Sequence, residues 1–313
     1  MKQILISLTV LILTFTGCSK NPDITDEMLD SGKIFDPSLY HPEKYLVSVA
    51  KPNPTADEAK KPVIIACHGY SATTFEWDEL RTWMGSRDDF YLSQVLLGGH
   101  GRSYDEFKKS TWKDWQSAII DEYTRLVSEG YTNINFLASS ASCALILDLL
   151  ATHYFDGKTV PMNIMLVDPF VIPSNKMLSM IGIVGPMLGY TEVVQTAAED
   201  KVWYHFRPQE TLQELQNLAT IVRKDMEDGI VLPKNCVLKV YKSKKDPTAD
   251  AVGAVLIYKG VKTFEGNPIA IDMINSDLHV FTRLSLREKI TTEDYTNQLN
   301  AFNDIAIRIL TSK

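Results

Sequence analysis

Three serines fall within four positions of the stretch INFLASSASCALIL, residues 134–147. A serine hydroxyl is a poor nucleophile until a neighbouring base takes its proton and an acid orients that base. The apolar run Ile134 to Ala138 has the length of a buried strand, and Cys143 to Tyr154 has the length and spacing of a helix. A chain that turns directly from strand to helix holds the residue at the turn in a strained conformation. The Oγ of a serine there projects above the sheet, and the next N–H faces a ligand. The turn is tight, so the residues two before and two after must be small. Ser139 would need Leu137 to be small. Ser140 has Ala138 and Ser142 in those positions. Ser142 has Ser140 and Ala144, but it would push the turn into the helical run. Ser140 is therefore the expected nucleophile, with Ala and Ser standing where glycine is usual. A plainer reading stays open, since serine is also a favoured helix N-cap.

The surrounding elements alternate. Strands are expected at 44–52, 62–70, 90–101, 134–138, 163–170, 235–247 and 268–274. Helices are expected at 72–84, 112–128, 143–154 and 291–310. In the second of these Trp115, Ile119, Ile120, Tyr123 and Val127 share one face. This order predicts an α/β fold, a mostly parallel sheet flanked by helices with right-handed crossovers. Ligands of such sheets bind beyond the carboxyl ends of the strands. Phe170 to Leu232 breaks the alternation. It has no clear strand, two expected helices (177–188 and 209–228) and many Met and aromatic residues, so it reads as an inserted helical cap. The organisation expected is a core of 44–169 and 233–313 with the cap at 170–232. The apolar side chains of the cap suit an aliphatic acyl group.

Four short motifs carry a resemblance to the α/β-hydrolase superfamily, in its carboxylesterase and monoacylglycerol-lipase-like branch. His68-Gly69-Tyr70 resembles that family's oxyanion loop, and Gly98-Gly99-His100-Gly101 its next glycine-rich turn. Thr111-Trp112-Lys113-Asp114-Trp115 resembles its Thr-x-x-Asp-Trp pattern. Ala138-Ser139-Ser140-Ala141-Ser142 stands where the family has Gly-x-Ser-x-Gly. The resemblance implies the α/β-hydrolase fold and the chain order Ser, acid, His. The base would be His279, after the last strand in SDLHVF; His205 falls in the cap. The acid would be Asp246 in KSKKDP, with Asp168 in LVDPF as the competing position. The backbone N–H groups of Tyr70 and Ala141 would hold the oxyanion. His68 and His100 read as loop-fixing residues, and Asp250 as the cap of the helix that follows it. The implied activity is hydrolysis of carboxylic esters, short- to medium-chain or monoacylglycerol-like, through an acyl-enzyme and without metal or organic cofactor. Thioester or amide hydrolysis uses the same residues. A binding lipoprotein that keeps the fold without activity is the rival from another class.

The resemblances imply a small-molecule ester and a membrane as partners, and composition sets nucleic acid aside. The 313 residues are 45% hydrophobic and 23% charged, ample for a large core. Net charge is −7 and no run of Lys and Arg exceeds two residues, which excludes a nucleic-acid footprint. Cys67, Cys143 and Cys236 lie in or beside apolar runs, where a free thiol behaves as a small hydrophobe, and no spacing suits zinc. At the N-terminus Lys2 precedes the apolar run Ile4 to Phe15, too short to span a bilayer, which needs about 20 residues. It reads as a signal peptide over 1–17. Thr16-Gly17-Cys18 resembles a bacterial lipoprotein box, whose Cys18 is lipidated, with 18–43 as tether and lead-in. The expectation is a lipid-anchored protein of the bacterial cell envelope; a secreted protein is the alternative. Replacing Cys18 by Ser should release the protein from membranes into the soluble fraction. Membrane retention unchanged by Cys18→Ser would refute a lipid on that thiol.

Overall fold

The computed structural model describes residues 53–312, apart from Lys176, Met177, Ser179 and Met180. The signal peptide, Cys18, the tether and the strand expected at 44–52 lie outside the described residues. The described residues open with a short 3-10 turn (Glu58–Lys60), followed by β1 (Val63–Cys67), a second 3-10 turn (Thr74–Trp77), α1 (Asp78–Met84) and β2 (Tyr91–Val95). Next come α2 (Tyr104–Lys109), α3 (Trp112–Ser128), β3 (Ile134–Ser139), α4 (Ala141–Ala151) and β4 (Asn163–Val167). The segment that interrupts the alternation holds α5 (Ile181–Leu188), β5 (Tyr190–Glu192), β6 (Phe206–Pro208), α6 (Gln209–Asp228) and β7 (Ile230–Val231). The chain ends with β8 (Val237–Ser243), α7 (Val252–Gly260), β9 (Val261–Lys262), β10 (Ala270–Ile274) and α8 (Thr292–Thr311).

Six strands form one sheet in the order β10-β8-β4-β3-β1-β2, and every pairing in it is parallel. The four strands β1 to β4 are buried along their whole length, as parallel strands covered on both faces must be. Side chains alternate between the faces. Val63, Ile65 and Cys67 join the larger core with Trp115, Ile119 and Tyr123 of α3. Ile64 and Ala66 join the other core with Phe302, Ile305 and Ile309 of α8. Ile120 and Val127, expected on the same face of α3, are only partly buried at the margin of the larger core. Capping boxes start both helices. The Thr111 hydroxyl accepts the Asp114 N–H and the Thr291 hydroxyl accepts the Asp294 N–H, each carboxylate answering to the threonine N–H.

Register brings the carboxyl ends level. Cys67 lies opposite Val95 and Ala138, Ser139 opposite Val167, and Val167 opposite Tyr241. The residues that follow these ends therefore gather at one edge of the sheet, where the alternating sequence places the site.

Two stretches depart from the sequence reading. The expected helix at 72–84 is a 3-10 turn followed by the shorter α1. The Gln94 side chain takes the Thr74 carbonyl at 2.7 Å, so that carbonyl is turned away from a helical partner. The segment after Phe170, read as free of strands, contains the antiparallel pair β5–β6, and β7 pairs in parallel with β9. Strands of two or three residues carry too little alternation to show in sequence.

Gly98 marks how tightly the loop after β2 sits on α3. A Cβ placed there would lie 2.4 Å from the Asp114 carbonyl oxygen and 2.8 Å from its carbon, a collision with backbone. Gly98→Ala should therefore destabilise the fold by about 1–3 kcal/mol, as overpacking does, read as a lowered urea midpoint at unchanged slope. A loss under about 0.5 kcal/mol would mean that this loop yields.

Candidate active site

The turn between β3 and α4 separates the three serines. Ser140 has φ 52° and ψ −117°, a region costly to any residue with a Cβ. Its neighbours hold it there. Its N–H donates to the Val167 carbonyl at 3.0 Å, and its own carbonyl accepts the Phe170 N–H at 3.0 Å. Ser139 is fully buried, and its hydroxyl donates to the Glu76 carboxylate. Ser142 is also fully buried. Its hydroxyl accepts the Ser139 N–H at 2.9 Å and lies 2.9 Å from the Cys67 carbonyl. Ser140 alone of the three lines a cavity. Space explains the small neighbours, because Ala138 and Ser142 are sealed completely and Gly69 faces the nucleophile position. A Cβ on Gly69 would lie 2.9 Å from the Ser140 Cβ, so only glycine fits.

The structure brings Ser140, His279 and Asp246 together. His279 Nε2 is 2.8 Å from Ser140 Oγ, and His279 Nδ1 is 2.9 Å from Asp246 Oδ2. The other Asp246 oxygen accepts the N–H groups of Thr248 and Ala249 at 2.8 and 3.0 Å. Burial works against the Asp246 charge. The imidazole of His279 and the ammonium of Lys242 outweigh it and bring its pKa down to about 2. Lys242, four residues ahead on β8, is fully buried and reaches Asp246 Oδ2 at 2.5 Å and Asp168 Oδ1 at 3.2 Å.

Asp168, the competing acid, makes no hydrogen bond to His279 among the described residues. Its Oδ1 accepts the Ser243 N–H at 2.7 Å. Its Oδ2 accepts the Ser243 hydroxyl and the Phe281 N–H, both at 3.1 Å. It ties the end of β8 to the histidine loop. That loop is strained in turn. Val280, a β-branched residue, has φ 53°, and the Arg287 guanidinium donates to the His279 carbonyl beside it.

The remaining candidates take supporting places. The Tyr70 N–H has no partner among the described residues, while Ala141 is the first residue of α4, whose N–H has no intrahelical acceptor. His205 is held away from Ser140 between Asp200 at 2.8 Å and Glu192 at 3.0 Å. Burial lowers its pKa, but the two carboxylates prevail and raise it. His68 bridges two loops: Nδ1 is 2.8 Å from the Gly69 carbonyl and Nε2 accepts the Leu97 N–H at 3.0 Å. Burial brings its pKa down to about 4, so it stays neutral. His100 sits 3.1 Å from the Gly98 carbonyl, and Asp250 accepts the Val252 N–H at the start of α7. Cys67, Cys143 and Cys236 are free and buried, and burial raises all three thiol pKa values. No cluster among the described residues has the makings of a metal site.

Sequence reasoning missed Glu76 and Lys242. Glu76 is buried and accepts the Gly69 N–H at 2.8 Å as well as the Ser139 hydroxyl, which fixes the loop after β1 against the serine turn. Its segment, TFEWDEL, offers three acids with nothing to mark the buried one. Lys242 stands among Lys239, Lys244 and Lys245 in the same way.

The cavity that Ser140 and His279 line measures about 580 Å³, within the range of small-molecule sites. Its walls include Phe170, Leu178, Ile181, Leu212 and Leu215, so the segment between β4 and β8 supplies much of its apolar surface.

No protein-family model matches the chain. A carboxylesterase of Bacillus subtilis strain 168 is 24% identical over 223 residues, which cover 69% of this chain and 85% of that one. The structure is similar to that of a metagenome-derived lipolytic enzyme, from a study of LipS and LipT, with a TM-score of 0.63 and 16% identity. That match covers 79% of this chain and 94% of the other. It is also similar to a soluble variant of monoglyceride lipase from Saccharomyces cerevisiae, solved with a substrate analog. There the TM-score is 0.63 and the identity 10%, over 82% of this chain and 88% of that one. The chain has the α/β-hydrolase fold, and its neighbours in that fold include esterases and lipases.

The two aspartates make opposite expectations for any hydrolase activity of this site. Asp246→Asn should lower kcat by about three to four orders of magnitude, as loss of a triad acid does. Asp168→Asn should act mainly on stability, since it leaves Lys242 with one buried carboxylate fewer; breaking such a pair costs about 3–5 kcal/mol. A larger loss of kcat in Asp168→Asn than in Asp246→Asn would reverse the assignment. Steady-state kinetics and urea unfolding of both variants decide it.

Proposed function

We propose that the protein is a serine hydrolase that cleaves carboxylic esters through an acyl-enzyme. The observation that carries this reading is the hydrogen-bonded series Ser140 Oγ, His279 Nε2, His279 Nδ1 and Asp246 Oδ2, opening into an apolar cavity. Ser140 Oγ adds to the ester carbonyl carbon as His279 Nε2 takes its proton. Asp246 keeps the imidazole in the orientation and tautomer that leave Nε2 free to accept, and it offsets the imidazolium charge. The oxyanion is received by the N–H groups of Tyr70 and Ala141, each such donor contributing about 10²–10³ in rate. Collapse of the tetrahedral intermediate breaks the C–O bond, and His279 gives its proton to the departing alcohol. Water, deprotonated by His279, then adds to the acyl group, and Ser140 leaves with the proton returned to it.

The segment 170–232 acts in this reading as a cap over the strand ends, its Leu and Ile side chains receiving the acyl chain. Burial of each methylene contributes about 0.8 kcal/mol. The similarity to the Bacillus subtilis carboxylesterase and to monoglyceride lipase supports an ester substrate over a peptide. Tethering through Cys18 would hold this chemistry at an envelope membrane.

A fluorophosphonate probe tests the reading directly. It should label the wild-type protein at Ser140, and Ser140→Ala should abolish labelling, whereas Ser139→Ala should retain it. An adduct located on Ser142, or an unlabelled wild-type protein, would overturn the assignment.

A further inference from the structure

One cation in the cavity has neither an ion pair nor a side-chain hydrogen bond among the described residues. Arg207, on β6, lines the same cavity as Ser140. It forms no ion pair and no side-chain hydrogen bond among the described residues; the residue as a whole is half-buried, but its Nε is buried without a partner. What it does touch is an aromatic face: its guanidinium carbon lies 5.7 Å from the centre of the Tyr70 ring. A guanidinium stays protonated in any protein environment and presents donors only. Leaving one desolvated and unpaired is costly, so buried charges are normally matched. Burial indeed works against its charge, and Tyr70 offsets this only in part.

The other two guanidinium groups of the cavity are already engaged. Arg283 pairs with Glu199 at 3.0 Å, and Arg287 donates to the backbone carbonyls of His279, Val280 and Arg283. The carboxylates nearest to Arg207 in the chain are committed elsewhere. Glu192 lies against His205 at 3.0 Å; Glu210 has one oxygen 3.8 Å from Lys108 and the other buried without a partner, and neither forms an ion pair with Arg207 among the described residues. Of the three acids that line the cavity, Glu76 is held by Gly69 and Ser139, Glu199 by Arg283, and Asp277 is exposed to solvent and forms no ion pair with Arg207 among the described residues.

We infer that Arg207 is a specificity-determining residue that binds an anionic group, a carboxylate or a phosphate, carried by the ester substrate. The inference rests on the ester-hydrolase reading for the identity of the reacting bond, but not for the anion site itself. A guanidinium offers a fork of two donors toward two anion oxygens, the arrangement in which arginine outperforms lysine. The anion lies at Tyr70 and β6 while the scissile ester lies at Ser140, so the substrate has two recognised ends. Tyr70 belongs to both places, since its ring faces Arg207 and its N–H follows Gly69 at the nucleophile.

The test compares matched esters. Monoethyl adipate and ethyl hexanoate have acyl chains of the same length and differ in a terminal carboxylate. Butyrylglycerol phosphate and monobutyrin differ in a phosphate on the alcohol side. Wild type should favour the charged member of one pair in kcat/KM, and which pair responds tells carboxylate from phosphate. Arg207→Met should lower that charged-to-neutral ratio by about 10- to 100-fold, the range of a hydrogen bond to a charged group. Arg207→Lys should retain part of it. Binding of the same four compounds to the Ser140→Ala protein, by calorimetry, gives a readout independent of turnover. Tighter binding of an anionic member that is lost in the Ser140→Ala, Arg207→Met double variant supports the anion site even if no ester is cleaved; in that case the hydrolase reading alone falls. Ester cleavage with charged-to-neutral ratios that Arg207→Met leaves unchanged in both pairs overturns the anion site and leaves the hydrolase standing.

Discussion

A single buried ammonium ties together the parts on which the site depends. Lys242 sits fully buried between Asp168, which follows β4, and Asp246, which follows β8. Asp168 in turn holds Ser243 and the Phe281 N–H, and Asp246 holds His279. Two strand ends and the histidine loop are therefore fixed through one side chain. Such an array is weak evidence for net stability, because desolvating three charges offsets most of their attraction. Its consequence is geometric. Removing the Lys242 ammonium would leave two unmatched buried carboxylates, so the array depends on that one side chain. With two carboxylates and one ammonium it carries one net negative charge. An imidazolium formed at His279 during the proposed reaction is the group that would neutralise it.

The same edge of the sheet carries backbone strain. Ser140, Asp168 and Val280 all have positive φ, at 52°, 46° and 53°. Each such residue costs of order 1–3 kcal/mol and persists only where its surroundings over-determine it. The surroundings here are identifiable. Ser140 is pinned by Val167 and Phe170, Asp168 by its N–H to the Tyr241 carbonyl at 2.9 Å, and Val280 by Arg287 and the anchored Phe281. The strain and the charge array are two aspects of one constraint: three loops must end within hydrogen-bond reach of one another, and a relaxed backbone would not bring them there.

How legible this was in sequence varied with the kind of signal. The sheet was readable because its strands are continuous apolar runs, and α3 and α6 because they are long and periodic. Ser140 followed from the need for small residues at Ala138 and Ser142, a demand that survives the loss of the usual glycines. Position alone left Asp168 as a competitor to Asp246, because both come after strands, and only the resemblance favoured Asp246. What separates them is the direction of each carboxylate, and that depends on Lys242, which looks like its lysine neighbours in the chain. Glu76 was hidden for the same reason, one acid among three in TFEWDEL. Polar residues that are buried by tertiary contact leave no periodic trace, since their pairing is made by residues far away: Glu76 with Ser139, and Arg207 with the Tyr70 ring. The short strands β5 and β6 escaped through their length.

The distribution of charge within the cavity gives this fold a polarity that its apolar walls alone would not. Glu76 lies beside the nucleophile, where its carboxylate is used up in fixing Gly69 and Ser139. Arg207 lies at the other side of the Tyr70 residue, on a strand that belongs to the inserted segment rather than to the sheet. Because among the described residues β6 pairs only with β5 and leads directly into α6, the guanidinium is placed by the inserted segment, while Ser140, His279 and Asp246 follow strands of the sheet. Under the proposed function, the reacting groups and the anion-binding group would thus be carried by separate elements that meet at one residue, Tyr70. A change in β5 or β6 can alter what is recognised without disturbing the strand ends that hold Ser140, His279 and Asp246.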